Sequence, residues 1–469
     1  MKRLLILFSA VLLAAAAVLT AALYLGSTQE QVTHQETVLS GDPAGADGLR
    51  LSLLYCGLRE HPRWSTDYSF GEPDSSRTDF RFHTVVPTRS YPASEYRGVM
   101  LNTIGDNLTL EQLSDIFRQE NRNGSGQTFS GLLGAYQQLY NETPEGELTN
   151  TYLRIGDYCA YYPLMGRLEL ASGGYHWNSY SSSGYADQRA ELAEAFDAYF
   201  RIPVLEDDWI QVIVDKRESD AVMESVDVTE SRKGSDVFRM YSVGVFFENT
   251  AYFTFGALTE QGNMVDTSLI PGGYGLYGYS CNSRGEAEPD SLATLCPLDP
   301  TFEPYDMTVD VENRNLLYFS VKDGNRYLTV ISLDTMEILQ TLCILEDLTS
   351  GWQFHKLPEG CLVAVSEEKG ISVWEKDDRG LYVFRFTAPL EGGETAYELY
   401  DGAYAFDGQR LAVVQKKEVL EASSRTVCGF LVRVYTGSGC TYSGEYTPSL
   451  ETDWLSARTS LKEVQVSWQ

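Results

Sequence analysis

The chain has 469 residues, of which 66 are acidic and 36 are basic, and its formal net charge at pH 7 is −30. A surface with this charge repels phosphate backbones, so the composition argues against nucleic-acid binding. Hydrophobic residues make up 43% of the chain, which is typical of a globular protein and excludes a disordered one. The 30 Tyr residues and the 12% aromatic content favour β-strands.

The first 26 residues form an apolar segment with a basic start. Lys2 and Arg3 precede residues 4–25, which carry no charged side chain. A bilayer core of about 30 Å needs roughly 20 apolar residues of helix, so this run is long enough to span a membrane. The basic start favours a cytoplasmic N-terminus. The sequence therefore predicts a single-pass cell-membrane anchor over residues 1–26, with the bulk of the chain extracytoplasmic. Cleavage as a signal peptide near Ala22, which would release a secreted protein, is the alternative.

Residues 27–48 are polar and contain Gly and Pro, which predicts a stalk that holds the domain off the membrane. The pattern changes at Leu49. Leu49, Leu51 and Leu53 alternate with polar side chains, which is the period of a half-buried strand. The folded domain is therefore predicted over residues 49–469.

Two segments of the N-terminal half have apolar residues at helical spacing. The first lies near residues 109–122, and the second lies near residues 187–200 and stops before Pro203. Each segment has a single apolar stripe, so both are predicted to be short helical insertions that dock on a sheet. The residues of the two stripes are Leu110, Leu113, Ile116 and Phe117, and then Leu192, Phe196, Tyr199 and Phe200.

Two loops supply the candidate binding residues. Tyr175, Trp177 and Tyr180 lie among Gly and Ser residues, a mixture that recognition loops use for contact area and adaptability. A plain connector is the alternative for this loop. The second loop contains Asp266 and Tyr274, and the Pro and Gly residues around Tyr274 predict a backbone turn with positive φ. That turn either has a structural role only or lines a binding face.

The C-terminal third has a repeating strand pattern. Asp323 and Gly324 separate two apolar runs, which is a strong signal for a β-hairpin with a type I′ turn. Aligned strands begin at Leu317, Leu362 and Leu411, at spacings of about 45 to 50 residues. Units of about 40–50 residues with four short antiparallel strands are typical of β-propeller blades. The sequence therefore predicts an all-β, β-propeller-like domain of six or seven blades, with a β-sandwich or a stack of small meanders as the alternative.

Three stretches of the chain carry a resemblance to a known group of proteins. They are Trp64–Tyr68, Phe200–Val204 and Asp266–Gly275. Together with the N-terminal anchor, they resemble an uncharacterised group of membrane-anchored, β-propeller-like extracytoplasmic bacterial proteins. The resemblance implies location and fold, and it assigns no active-site residue.

The eight Cys residues are spread singly, without a C-x-x-C pair, which argues against a zinc ribbon or a thioredoxin-type site. Cys281 and Cys296 bracket a polar loop and are the best candidates for a disulfide. The alternative is that most of the Cys residues are small buried hydrophobes.

Histidine and serine motifs are absent from the sequence. The five His residues include no pair at metal-ligand spacing, and the Gly-x-Ser-x-Gly motif of serine hydrolases does not occur. No catalytic residue and no metal ligand is therefore assigned.

Acidic residues give two weaker candidates. The run Glu206-Asp207-Asp208 and Asp266 offer carboxylates for a glycosidase pair, with a solvated loop as the alternative. Oxygen ligands for calcium occur without the EF-hand spacing at Asp377, Asp378, Asp306, Asp310, Glu312 and Asn313. No cofactor is predicted, and calcium is the alternative.

The sequence thus favours a membrane-anchored recognition or scaffold module, without enzymatic activity, that binds an extracytoplasmic protein, peptide or glycan. Residues 4–25 are expected to contact the membrane, and no nucleic-acid partner is expected. An exported carbohydrate-active enzyme that uses paired carboxylates is the alternative. A third hypothesis, a component of envelope assembly or sensing that acts through a membrane partner, overlaps the first one.

Overall fold

The structure is a computed structural model. It describes residues 8–9, 11–20, 33–56, 63–71, 76–79, 98–103, 108–109, 130–162, 164–169, 195–196, 198–217, 225–227, 236, 238, 240–280, 288–346, 352–357, 360–391, 399, 402–420, 426–449 and 460–469. The chain divides into two compact units. The first unit contains residues 1–87 and 348–469, and the second contains residues 88–347.

Most of the described secondary structure is β-strand, and the strands are short. The early strands are β1 (Thr33–Gly41), β2 (Leu49–Cys56), β3 (Arg63–Ser69), β4 (Ser76–Asp79), β5 (Gly98–Thr103), β6 (Leu108–Thr109), β7 (Leu148–Arg154), β8 (Leu164–Glu169) and β9 (Trp209–Asp215). The middle strands are β10 (Ser225–Asp227), β11 (Ser242–Phe247), β12 (Thr250–Phe255), β13 (Gly275–Ser280), β14 (Ala293–Pro297), β15 (Glu303–Asp310), β16 (Asn315–Lys322), β17 (Asn325–Ser332) and β18 (Ile338–Leu345). The late strands are β19 (Trp352–Lys356), β20 (Cys361–Ser366), β21 (Gly370–Lys376), β22 (Tyr382–Ala388), β23 (Ala403–Phe406), β24 (Leu411–Leu420), β25 (Thr426–Thr436), β26 (Gly439–Ser449) and β27 (Ser460–Trp468).

Helical structure is sparse in the described residues. Residues 11–20 are helical, and the helix α1 covers Ser130–Glu142. Short 3-10 turns cover Pro43–Ala46, Ile155–Asp157 and Pro289–Ser291. In the part of the chain that the structure describes, no helix combines the length and the apolar character that a membrane span needs.

Three antiparallel sheets build the described part of the first unit. Their strand orders are β27-β2-β3-β4, β1-β26-β25-β24-β23 and β19-β20-β21-β22. The first sheet joins the two ends of the chain, because β27 pairs with β2 from Leu49↔Trp468 to Cys56↔Ser460. The predicted alternation in β2 is confirmed, since Leu49, Leu51 and Leu53 are buried and Arg50 is exposed.

Two apolar cores lie between neighbouring sheets of the first unit. In one core, the leucines of β2 pack with Phe430, Val432 and Val434 of β25. In the other, Val363 of β20 packs with Val413 of β24. Among the described residues of this unit, the apolar faces of the sheets are therefore buried against neighbouring sheets.

The predicted stalk is wrong for residues 33–48. Residues Thr33–Gly41 form β1, which pairs antiparallel with β26, and Pro43–Ala46 forms a 3-10 turn with a buried Ala46. A polar edge strand has the same composition as a linker, which is why this segment reads as a stalk. The folded domain thus includes residues before the predicted start at Leu49.

The second unit contains three four-stranded sheets and one two-stranded sheet among its described residues. Their orders are β6-β10-β9-β7, β11-β12-β13-β14, β15-β16-β17-β18 and β5-β8. One core packs Phe196 and Phe200 against Phe253 and Tyr277, with the ring of Phe200 edge-on to Tyr277 at 4.8 Å. A second core lies between the sheet of β11–β14 and the sheet of β15–β18.

The predicted repeat is confirmed. Leu317, Leu362 and Leu411 lie in β16, β20 and β24, and each of these is the second strand of its own antiparallel sheet. The hairpin between β16 and β17 turns at Asp323 and Gly324, whose φ angles of 51° and 78° are those of a type I′ turn.

The helical predictions are partly confirmed. Residues 195–196 and 198–199 are helical, and the rings of Phe196 and Phe200 dock on the sheet that contains β12. The helix predicted near residues 109–122 lies outside the described residues, except that Thr109 ends the strand β6. Helix α1 was missed, although Tyr136 and Tyr140 have helical spacing.

Candidate functional site

The first predicted binding loop lies outside the described residues. Tyr175, Trp177 and Tyr180 all belong to it. Their proposed role in binding therefore stays a prediction.

The second predicted binding loop separates its two candidates. Asp266 is exposed, and its carboxylate accepts a hydrogen bond from the backbone N–H of Ser268 at 2.9 Å. Hydrogen bonds from Ser268 lower the pKa of Asp266. Tyr274 is buried, and its hydroxyl donates to the backbone carbonyl of Phe255 at 2.6 Å. Burial raises the pKa of Tyr274 to about 12. Asp266 thus faces solvent, whereas the hydroxyl of Tyr274 makes its hydrogen bond inside the core.

The turn that precedes Tyr274 has the predicted backbone conformation. Gly272 and Gly273 have φ angles of 79° and 77°, which side chains other than Gly rarely adopt. This turn brings the carbonyl of Pro271 to the hydroxyl of Tyr199 at 2.9 Å. The contact ties the helical insertion to the sheet, which favours the structural interpretation of the turn.

Asp208 is the buried residue among the three consecutive acidic candidates at 206–208. It is fully buried, and its Oδ2 accepts a hydrogen bond from the hydroxyl of Tyr162 at 2.6 Å. Its Oδ1 is buried without a hydrogen-bond partner of normal geometry. Burial raises the pKa of Asp208 to about 6, and the nearby charges of Asp236 and Glu260 add to this effect. Hydrogen bonds from Tyr162 and from the backbone of Phe238 act in the opposite direction.

Asp236 supports the loop next to this buried carboxylate. Its Oδ2 accepts hydrogen bonds from Thr259 Oγ1 at 2.7 Å and from Asn263 Nδ2 at 2.8 Å, while its Oδ1 accepts one from the N–H of Gln261 at 3.1 Å. These contacts hold the Thr259–Asn263 turn in place. Asp208 and Asp236 therefore act as structural carboxylates, although the pKa of Asp208 also suits a general acid.

Three of the six calcium candidates make hydrogen bonds to residues close to them in sequence. The carboxylate of Asp377 accepts hydrogen bonds from the backbone N–H groups of Arg379 and Leu381, each at 2.9 Å. Asn313 donates to the carboxylate of Asp310 at 2.9 Å. Across the described ranges, no group of three or more His, Cys, Asp or Glu side chains is placed to hold a metal ion.

Two histidines of the first unit are half-buried. His34 lies among aromatic rings, and His355 stacks on Tyr404 with a ring-centroid distance of 4.2 Å. Burial lowers the pKa of each to about 4, so both imidazoles are neutral at pH 7.

The predicted disulfide receives no support from the described partner. Cys296 is a buried, free thiol whose pKa is raised by burial, and Cys281 lies outside the described residues. Cys296 behaves as the small buried hydrophobe of the alternative interpretation.

Exposed apolar side chains mark the outer strands of two sheets. On β18, Ile338 and Leu339 are 45% and 43% exposed, and on β22, Val383 and Phe384 are 44% and 53% exposed. Both strands lie at the edge of their sheet. We call the exposed part of β22, residues 383–385, the β22 edge. The ring of Phe384 packs edge-on against the ring of buried Trp374 in the neighbouring strand β21, with a centroid distance of 5.7 Å.

The sequence showed β22 only as a strand. Its exposure was missed because Val383 and Phe384 are both apolar, and apolar residues in a strand ordinarily indicate burial. The available sequence signal is that Val383 and Phe384, which precede Arg385, do not alternate with polar residues.

Comparisons with known proteins assign no family to the chain. No protein-family model matches it, and no curated protein matches it. Among solved structures, it is similar to a periplasmic gluconolactonase of Pseudomonas aeruginosa, with 10% identity and a TM-score of 0.25 over 55% of this chain and 80% of that chain. It is also similar to the WD40 domain of SCAP from fission yeast, with 11% identity and a TM-score of 0.25 over 52% of this chain and 59% of that chain.

A third similar structure is a GH43 protein of Bacillus licheniformis. Its identity is 11% and its TM-score is 0.20, over 53% of this chain and 56% of that chain. All three TM-scores lie below 0.5.

Proposed function

We propose that this chain is a membrane-anchored, extracytoplasmic recognition module of β-propeller-like fold that binds an extended segment of a partner protein at an open sheet edge. The observation that carries this proposal is the β22 edge. An edge strand offers unpaired backbone N–H and C=O groups, and adjacent exposed apolar side chains give a partner strand both hydrogen bonds and contact area.

The chain itself contains one example of strand addition. Strand β1 comes from the N-terminal end and pairs with β26 at the opposite end of the chain, as the fifth strand of its sheet. A sheet edge of this fold therefore accepts an extended segment that is distant in sequence. The same geometry would let β22 accept a segment of another protein.

The propeller part of the proposal rests on the order of the strands. Successive antiparallel sheets are built from strands that follow one another in the chain, as in β11-β12-β13-β14 and β19-β20-β21-β22. Pairing of β27 with β2 joins the last and first parts of the chain, which is the usual way to close a ring of blades. The anchor part rests on the uncharged run of residues 4–25.

The β22 edge can be tested by substitution. The full-length chain in detergent would be screened against a displayed library of extended peptides, and Phe384→Ser would be compared with the wild type. We expect Phe384→Ser to weaken peptide binding at least about tenfold, because exposed aromatic residues dominate such interfaces. Val311→Ser is the matched control, since Val311 is also exposed but lies in a turn and not on a sheet edge.

Two outcomes would contradict the proposal. Equal loss of binding in Val311→Ser and Phe384→Ser would show that the edge is not the site. Release of products from a glycan panel by the wild-type chain would favour the alternative, a carbohydrate-active enzyme. The observation that favours this alternative is the raised pKa of Asp208, about 6, which suits a general acid.

A further inference from the structure

Strand β1 is held at the edge of its sheet by few side chains. Its register runs from Thr33↔Ser449 to Gly41↔Tyr442, with an irregularity between Val38 and Ser40. Val38 and Leu39 are exposed, so these two aliphatic side chains add little apolar burial. The strand therefore depends on its backbone hydrogen bonds and on a small number of anchoring residues.

His34 is the main anchor. Its ring lies 5.2 Å from that of Phe430, 5.6 Å from that of Tyr68 and 6.2 Å from that of Tyr55. Its Nε2 forms a hydrogen bond of 3.0 Å with the hydroxyl of Tyr55, and its Nδ1 is buried without a hydrogen-bond partner. These neighbours come from β25, β3 and β2, so His34 links β1 to two different sheets.

Glu36 is the second anchor. Its Oε1 accepts hydrogen bonds from the hydroxyl of Tyr442 at 2.8 Å and from that of Tyr446 at 3.1 Å, and the two hydroxyls also contact each other. Burial raises the pKa of both tyrosines, so they are neutral donors at pH 4 to 7. Glu36 is an exposed residue and belongs to the same strand as His34.

The surroundings of His34 suit only the neutral ring. The groups that face it from β2, β3 and β25 are two phenols and a phenyl ring, which carry no charge between pH 4 and 7. A protonated imidazole carries an N–H on both ring nitrogens, and no acceptor lies within hydrogen-bond distance of the one at Nδ1. A positive charge on the ring of His34 is unfavourable in these surroundings, because the desolvation of the charge is not offset by an ion pair.

We propose that β1 is a releasable strand whose docking on β26 requires neutral His34, so that mild acid frees β1 from the edge of this sheet. This inference does not rest on the function proposed for the β22 edge, because it concerns a strand of the chain itself.

The direction of the pH dependence follows from linkage. Burial lowers the pKa of docked His34 to about 4, whereas a released His34 regains its ordinary pKa near 6.5. The released state therefore binds more protons between these values, and docking weakens as the pH falls from 7 towards 4. The released fraction of β1 should rise on the order of tenfold between pH 7 and pH 5.

Hydrogen exchange tests this proposal directly. The full-length chain in detergent would be labelled at pH 7 and pH 5, and the protection of residues 33–41 would be compared after correction for intrinsic exchange rates. We expect protection to fall at pH 5 in the wild type and in Glu36→Gln. His34→Phe, which keeps the ring and removes the titration, should lose this pH dependence.

Unchanged protection of residues 33–41 between the two pH values would overturn the proposal, and so would an equal pH response in His34→Phe. A second measurement covers the case in which His34→Phe does not fold. The pKa of His34, measured by NMR in the wild-type chain, should lie below 5, and a value near 6.5 would also overturn the proposal.

Discussion

At the scale of single residues, removal of titratable side chains from water decides their protonation state. Desolvation favours the neutral form of three side chains: Asp208, His34 and His355. Asp208 was one of three consecutive acidic candidates at residues 206–208, whereas no sequence motif singled out either histidine. Burial depends on segments that are distant in sequence, so a single sequence reveals such residues only when a motif accompanies them.

Asp208 gives a prediction for stability. Its folded-state pKa of about 6 lies above the value near 3.9 in an unfolded chain, so the folded protein binds more protons between these values. Ionised Asp208 therefore destabilises the fold at pH 8, and this cost falls as the pH drops through 6 and vanishes only below about pH 4. We expect Asp208→Asn to be more stable than the wild type at pH 8, by about 1 kcal/mol, and this advantage to shrink to about half at pH 5.

Thermal unfolding at the two pH values measures this effect. Asp207→Asn is the matched control, because Asp207 is the exposed neighbour of Asp208 and should leave the pH dependence unchanged. If Asp208→Asn kept the pH dependence of the wild type, the ionisation of Asp208 would not be its cause.

At the scale of elements, local turn chemistry made the C-terminal third predictable. The Asp323-Gly324 hairpin and the strands that begin near Leu317, Leu362 and Leu411 are formed by residues close in sequence. Helix α1 was missed because Gly131 and Gly134 lower the helix propensity of its first half. Strand β1 was missed because its partner lies about 400 residues away.

The turn between β20 and β21 gives a second prediction. Gly370 has a φ of 86°, and a Cβ at this position would overlap the backbone carbonyl oxygen of Ala388. Gly370→Ala should therefore lower the free energy of unfolding by about 2–3 kcal/mol, because backbone strain and a steric clash act together. Gly408→Ala is the control, since Gly408 has a φ of 93° but no atom within 4 Å of the added Cβ.

We expect Gly408→Ala to cost only about 1 kcal/mol, which is the backbone strain alone. Denaturant unfolding of the two variants would separate the two effects. Equal losses would mean that the close approach to Ala388 contributes nothing to the stability of this sheet.

At the scale of the whole molecule, the two ends of the chain are joined by one sheet. Strand β27 covers β2, and Trp468 adds a hydrogen bond from its Nε1 to the carbonyl of Ala405 at 3.1 Å. The guanidinium of Arg410 lies 4.0 Å from the ring of Trp468. These contacts connect the C-terminal strand to two sheets of the first unit.

Removal of residues 460–469 should therefore destabilise the first unit strongly, because β2 would lose one of its two partner strands and an apolar face would be exposed. A full-length chain with Trp468→Ala keeps the strand and should show a smaller loss, about 3 kcal/mol. Thermal unfolding would compare the two with the wild type. A truncated chain that unfolds at the wild-type temperature would refute the role of β27.

The sequence by itself determined the β-rich class, the repeat of strands in the C-terminal third, the hairpin turns and the uncharged N-terminal run. These features depend on side-chain period and turn chemistry, which are local. Only the tertiary structure decided that residues 33–41 form a strand on β26, that β27 pairs with β2, that His34 lies among aromatic rings, that Asp208 is buried and that the β22 edge is exposed. Each of these results depends on contacts between residues far apart in the chain, and local pattern carries no information about which distant strand becomes a partner.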